Sequence, residues 1–217
     1  MTTKKIFLNS YSLNLQLNID QLLTVNAHLG HTRKFFNSKI KPYLIGQRAD
    51  IYLINISNTV HQFKILLSVL VNLFSLRKKL LIVKDFAFFD FKIIMSNSNI
   101  YYYDKKWIGG LLTNFKKVRR NSKFIKGKNN LENMKSLPSI IFFLDINFSY
   151  WAILEAVNLD IPIAAIIDTN TNSISNINYP IVANNKSFES NLLFLHMIKN
   201  ALLKGQQKEV LKVLRIV

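Results

Sequence analysis

The chain has 217 residues, enough for one α/β domain with a sizeable core or for two small ones. It contains no cysteine, which excludes disulfides, thiolate nucleophiles, CxxC redox chemistry and cysteine-ligated zinc. Hydrophobic residues make up 49% and charged residues 19%, so the chain can bury a core, yet 29 Lys and Arg face only 12 Asp and Glu, a net charge of +17. A field of that size attracts polyanions, so nucleic acid or an anionic membrane is the partner class it points to. No apolar run reaches the ~20 residues that a spanning helix needs; the stretch at 65–74 is interrupted by Ser68 and Asn72.

In chain order, residues 20–27 are expected as a short helix and 30–42 as a basic segment without periodicity. Residues 51–56 read as the first strand, apolar and β-branched, with the Gly46 turn before it. Val60, Phe63, Leu67, Leu70 and Phe74 share one face of a helix over 59–76, about five turns long, with Ser57 or Asn58 as its cap. A strand follows at 80–84, a crossover helix at 86–95 and a strand at 100–103. The continuous apolar run at 140–145 reads as a strand covered on both faces. Then come a helix at 149–158, a strand at 163–167, an Asn/Ser/Thr-rich loop at 168–178, a short strand at 181–183 and a helix at 188–203. Strands alternating with helices predict a three-layer α/β domain with a mainly parallel sheet and right-handed crossovers. Residues 28–205 form this single domain, 1–27 an extension with a short helix, and 206–217 a basic tail. The polar, basic interval 121–136 resembles a linker or an excised insertion.

Catalytic chemistry has little to stand on. The six glycines fall in neither GxGxxG nor GxxxxGK[ST] spacing, so the usual backbone cradle for a nucleotide phosphate is missing, and no GxSxG elbow exists. No acidic residue lies near His28 and His31 in the sequence to complete a metal site. Asp145 and Asp168 fall at the carboxyl ends of strands, where doubly wound sheets bind ligands. They support either a phosphate-handling enzyme or plain capping of the helices and turns that follow. No catalytic residue, metal or cofactor is therefore assigned.

The cations, in contrast, are clustered. Arg33, Lys34, Lys39, Lys41 and Arg48 lie between His31 and Ala49 with no acid among them. A second acid-free group comprises Lys105, Lys106, Lys116, Lys117, Arg119, Arg120, Lys123, Lys126 and Lys128. Phe35, Phe36, Tyr43, Trp107, Phe115 and Phe124 are interleaved with them. Cations neutralise phosphates and flat rings stack on exposed bases, whereas a merely solvated face normally mixes signs. A peripheral protein held to anionic lipid by the same stretches is the other reading.

The residues of both clusters resemble a known family. Leu29-Gly30-His31-Thr32, then Asn37-Ser38-Lys39-Ile40-Lys41-Pro42-Tyr43 and Gly46-Gln47-Arg48, resemble the opening signature of the S2 family of small-subunit ribosomal proteins of bacteria and organelles. Lys106-Trp107-Ile108-Gly109-Gly110-Leu111-Leu112-Thr113-Asn114-Phe115 is similar to its RWxGGxLTN motif. Glu155-Ala156, Leu159, Ile161-Pro162 and Asp168-Thr169-Asn170 resemble its EAxxLxIPxxxxxDTN block, and Tyr179-Pro180-Ile181 with Asn184 the segment before its last helix.

The resemblance implies a noncatalytic, flavodoxin-like or Rossmann-like domain bound to small-subunit ribosomal RNA, between head and body near the messenger RNA exit side. Neighbouring small-subunit proteins are implied as partners, with no membrane and no homo-oligomer. RNA contact is implied by position for His31, Arg33, Lys34, Lys39, Lys41, Tyr43 and Arg48, and for Lys105, Lys106, Trp107, Asn114, Lys116, Lys117, Arg119, Arg120 and Lys123. Trp107 is equally placed to be core, and Gly109 and Gly110 to permit a tight turn. The family's long helical hairpin would have to fit within 121–136, so it is expected to be reduced or absent. Family acids stand as Asn55, Asn172 and Asn185, and a family arginine as Lys106, whose ammonium lacks the bidentate guanidinium fork. With 23 Lys to 6 Arg, 27 Ile and 25 Asn, the codon bias suits an AT-rich genome. The acid-free start with Lys4 and Lys5 is weakly like a transit peptide but has no arginine. These features point to a mitochondrial copy, with a plastid second.

Overall fold

The computed structural model describes residue 15 and residues 17–84, 99–120, 131, 134–147, 149–171 and 174–214. The first elements are helix α1 (Ile19–Thr24), strands β1 (Leu29–Thr32), β2 (Leu44–Arg48) and β3 (Ile51–Ile54), and the long helix α2 (Ile56–Ser75). Strands β4 (Leu80–Val83) and β5 (Ile100–Tyr103), helix α3 (Phe115–Arg120), strand β6 (Ile140–Phe143) and helix α4 (Tyr150–Asn158) follow. Strands β7 (Ile163–Ile167) and β8 (Tyr179–Val182) and helix α5 (Phe188–Leu214) complete the chain order.

Five strands make one sheet in the order β5-β4-β6-β7-β8, with every neighbouring pair parallel. Their apolar runs have a physical cause. Every residue of β4, β5, β6 and β7 is buried, because helices or loops cover both faces and strand side chains alternate between them. Leu80, Ile82, Ile140, Phe142, Ala164 and Ile166 thus join one core with α1, α2 and α5. Leu81, Val83, Ile141, Phe143, Ala165 and Ile167 join a second core with α4 and the segment around Trp107. Pro180 is accommodated because β8 is the outermost strand and pairs with β7 alone. On the first face, α2 and α5 lie together, with Phe63 and Phe194 edge to face at 4.8 Å.

Three expectations need correction. The strand at 51–56 is not part of the parallel sheet: β3 ends at Ile54 and is the middle of a separate antiparallel sheet, β1-β3-β2. Only Ile54 of β3 is fully buried, and Ile51 is exposed, so its apolar run marks a half-covered strand. The basic segment contains β1, and β2 follows it; Gly30, Gly46 and the cations erase the alternation that would have revealed them. The long helix is capped by Asn55, whose side chain accepts from the Ser57 N–H at 3.1 Å, rather than by Ser57 or Asn58. In addition, α5 continues to Leu214, past the expected end at 203. The expected crossover helix at 86–95 lies outside the described residues, as does most of the interval 121–136.

Asn55→Ala should lower stability to urea by about 1 kcal/mol, the usual cost of losing a helix N-cap. Ser57→Ala should change it by less than about 0.5 kcal/mol, as expected for an exposed position without a capping role.

Candidate nucleic-acid interface

The second basic segment is anchored by a carboxylate that sequence reasoning did not connect to it. Beyond the edge strand β5, the chain turns at Lys106, whose carbonyl accepts from the Tyr103 hydroxyl at 3.0 Å, and then wraps around Glu155 from α4. Glu155 Oε1 accepts from Trp107 Nε1 at 3.0 Å and from the Gly110 N–H at 2.7 Å. Its Oε2 accepts from the N–H groups of Leu112 at 2.8 Å and Thr113 at 3.1 Å, and from the Thr113 hydroxyl at 3.4 Å. Glu155 is buried, so this set of donors replaces the hydration that its charge would otherwise require. Gly110 has φ +88, a left-handed conformation that lets successive N–H groups converge on one anion. Trp107 is only 9% exposed and lies edge to face on Tyr103 at 5.3 Å, so the structure puts this expected RNA contact in the core.

The first basic segment is held to the carboxyl end of β7. Gly30 lies so close to Thr169 that a Cβ there would meet Thr169 Cγ2 at 2.4 Å, which is why the position takes no side chain. The next N–H, of His31, donates to the Thr169 hydroxyl at 2.7 Å, and the His31 Nδ1 pairs with Asp168 Oδ1 at 3.0 Å. The Asn37 N–H donates to the Thr169 carbonyl at 2.9 Å and its side-chain amide to the Thr171 carbonyl at 2.8 Å. Ile40, beyond these anchors, is fully buried in the same core as Trp107, Leu111 and Leu112. Both basic segments therefore rest on one packed body.

These contacts also account for the two aspartates. Asp168 is fully buried, accepts from the Thr169 N–H and hydroxyl and from the Asn185 N–H, and faces His31. Asp145 accepts from the Asn147 N–H and pairs with Lys186 Nζ at 2.9 Å. Burial pushes the neighbouring Lys84 ammonium down to about 8, against the pull of Asp145. The carboxyl edge of the sheet, where an enzyme of this architecture would bind substrate, is occupied by the protein's own ion pairs and turns.

The cations face outward. Arg33, Lys34, Lys39, Lys41 and Arg48 are exposed, as are Lys105, Lys106, Asn114, Lys116, Lys117 and Arg120. His31 and Tyr43 are half-buried, while Lys123, Lys126, Lys128 and the side chain of Arg119 lie outside the described residues. Among the described residues, carboxylates pair with His31, Arg77 and Lys186, and Arg33, Lys34, Lys39, Lys41, Arg48, Lys106, Lys116, Lys117 and Arg120 take part in none of these ion pairs. Lys116, Lys117 and Arg120 of α3 line an open groove of about 980 Å³ with Asn114 and an apolar floor that includes Leu112 and Leu159. Lys135 completes its wall, a cation that the clustering in sequence missed because it stands apart from the other nine.

Glu155→Ala should destabilise the fold by about 3 kcal/mol, because it leaves several buried donors without an acceptor. Glu155→Gln, which turns an NH2 toward N–H donors, should recover only part of this; urea denaturation followed by tryptophan fluorescence is the measurement. The Asp168 carboxylate raises the His31 pKa above the usual 6.5, against partial burial. The pair therefore contributes stability that is complete below pH 6.5 and is lost as pH rises through the elevated value. Burial lowers the pKa of His196, which gives a slope of opposite sign. The difference in urea midpoint between wild type and His31→Gln should accordingly shrink from pH 6 to 9.

Two stretches of the chain, residues 22–130 and 119–205, match the family model described as Ribosomal protein S2. They meet in the interval where the family's hairpin was expected to be shortened. The small ribosomal subunit protein uS2 of Idiomarina loihiensis is 29% identical over 87% of this chain and 91% of its own length. The uS2 proteins of Shewanella pealeana and Pseudoalteromonas atlantica are 30% and 29% identical over the same shares. The Gly-Gly turn closed on Glu155 and the His31–Asp168 clasp thus stand on residues of the family's motifs, and the chain belongs to the ribosomal protein S2 family.

Proposed function

We propose that this protein, a structural component of the small ribosomal subunit and not an enzyme, holds small-subunit RNA by its two basic segments. The observation that carries the reading is the set of exposed cations on both segments, which outnumber the acids around them and sit on one shared core. A scaffold that fixes the spacing of cations selects a folded polyanion by shape, since a flexible tail would bind any phosphate equally. Arg33, Lys34, Lys39, Lys41 and Arg48 form one arm of the grip. Lys105, Lys106, Asn114, Lys116, Lys117 and Arg120 form the other, to which Arg119 and Lys123 are assigned by sequence position alone, and His31 and Tyr43 stand at the root of the first. Trp107 supports the second arm from within and is not assigned an RNA contact.

The finer placement follows the family resemblance: between head and body on the messenger RNA exit side, as a single copy beside neighbouring small-subunit proteins. The lysine, isoleucine and asparagine bias supports a mitochondrial ribosome in the organelle matrix. No helix among the described residues is long and apolar enough to cross a membrane.

If about six phosphates are engaged, the logarithm of RNA affinity should fall with that of salt with a slope on the order of −4 to −5. Replacing Lys116, Lys117, Arg119 and Arg120 together by glutamate should deplete the protein from small subunits on sucrose gradients while its urea midpoint is kept. Unchanged incorporation would remove this segment from the interface. Flotation with anionic liposomes, in place of retention by RNA, would favour the lipid-bound reading.

A further inference from the structure

Residues 136–185 contain no lysine or arginine, although the chain carries 29 of them. Helix α4 lies within that span. Its inner face is committed: Ala152 and Ala156 enter the second core, and Glu155 holds the turn at Gly110. Its outer face is different. Tyr150 is 62% and Trp151 65% exposed, their rings edge to face at 5.6 Å, and one to two turns on Leu154 is half-buried and Val157 exposed. The acids of the span are turned inward: Asp145, Glu155 and Asp168 are all buried, which leaves Asp160, in the turn past the helix, as the exposed charge within the span. A nearly neutral aromatic patch thus stands on a protein of net charge +17.

That charge distribution decides between possible occupants. Nucleic acid gains most of its affinity from neutralised phosphates, and helix α4 carries no lysine or arginine of its own; the cations Lys116, Lys117, Arg120 and Lys135 gather at its far end, around Leu159, away from Tyr150 and Trp151. A second copy of the chain would bring two bodies of charge +17 together, a repulsion that a patch this small does not offset. Protein interfaces, in contrast, are depleted of charge at their centres and enriched in tyrosine and tryptophan, which bury large area at little conformational cost. The patch is also rigid, because Glu155 ties the same helix to the turn after β5.

We infer that the outer face of α4, centred on Tyr150 and Trp151, is the docking surface for a neighbouring small-subunit protein, one that presents an uncharged apolar surface with acceptors for the indole N–H and the phenol. The inference rests on the ribosomal reading above. It concerns a face of the molecule separate from the residues proposed to hold RNA.

The test places p-benzoylphenylalanine at position 150, isolates small subunits on sucrose gradients and irradiates them. Cosedimentation is scored first: a protein absent from small subunits overturns the ribosomal reading and this inference with it. In a cosedimenting protein, crosslinks to a peptide of another small-subunit protein are expected. Crosslinks to ribosomal RNA, to a second copy or to another segment of this chain, or no crosslink at all, would overturn docking alone. Tyr150→Ser combined with Trp151→Ser should leave RNA retention intact and weaken the crosslinked neighbour's hold on salt-washed subunits at least about tenfold, the loss typical of truncated aromatic anchors. Full retention of that neighbour would count against the inference.

Discussion

The carboxylate of Glu155, surrounded by the N–H groups of Gly110, Leu112 and Thr113 and by the Trp107 indole, is the contact on which the shape of the second basic segment depends. Burying one charge costs several kcal/mol, and the hydrogen bonds from these donors offset that cost. The contact adds specificity as well. Any other course of this turn would leave a buried carboxylate without donors, which is far worse than either term alone. A single side chain on a helix of the core thus dictates where Lys105, Lys106 and α3 emerge.

The His31–Asp168–Thr169 clasp does for the first segment what Glu155 does for the second. It differs in its response to pH, since the Asp168 carboxylate raises the pKa of His31 and the other anchors are neutral hydrogen bonds. The His31–Asp168–Thr169 clasp uses the carboxyl edge of a parallel sheet, the place where related architectures bind ligands, as structural joinery. The fold is retained and the site is filled by the chain's own side chains, so what it presents to its surroundings is a cationic exterior and, on α4, one uncharged aromatic patch.

How much of this could be read from residues alone follows from which interactions are local. The strands at 100–103, 140–143 and 163–167 and the long helix were legible, because two-sided burial forces an unbroken apolar run and one-sided burial a spacing of three and four. β1 and β2 were not. Their pairing with β3 is written in backbone hydrogen bonds, which no side-chain pattern records, and Gly30 is set by Thr169 more than a hundred residues away. Lys135 escaped for a similar reason: it joins Lys116, Lys117 and Arg120 only across the groove.

Composition, charge clustering and motif spacing determined by themselves that this chain is a cationic α/β scaffold, which residues carry the charge, and which family they resemble, because each is a property of residue types and their order. Tertiary structure alone decided that Trp107 is core, that Glu155, Asp145 and Asp168 are turned inward, and that Tyr150 and Trp151 face out. Those outcomes depend on which distant donors and apolar faces meet a side chain once the sheet has closed, and a linear pattern has no access to that geometry.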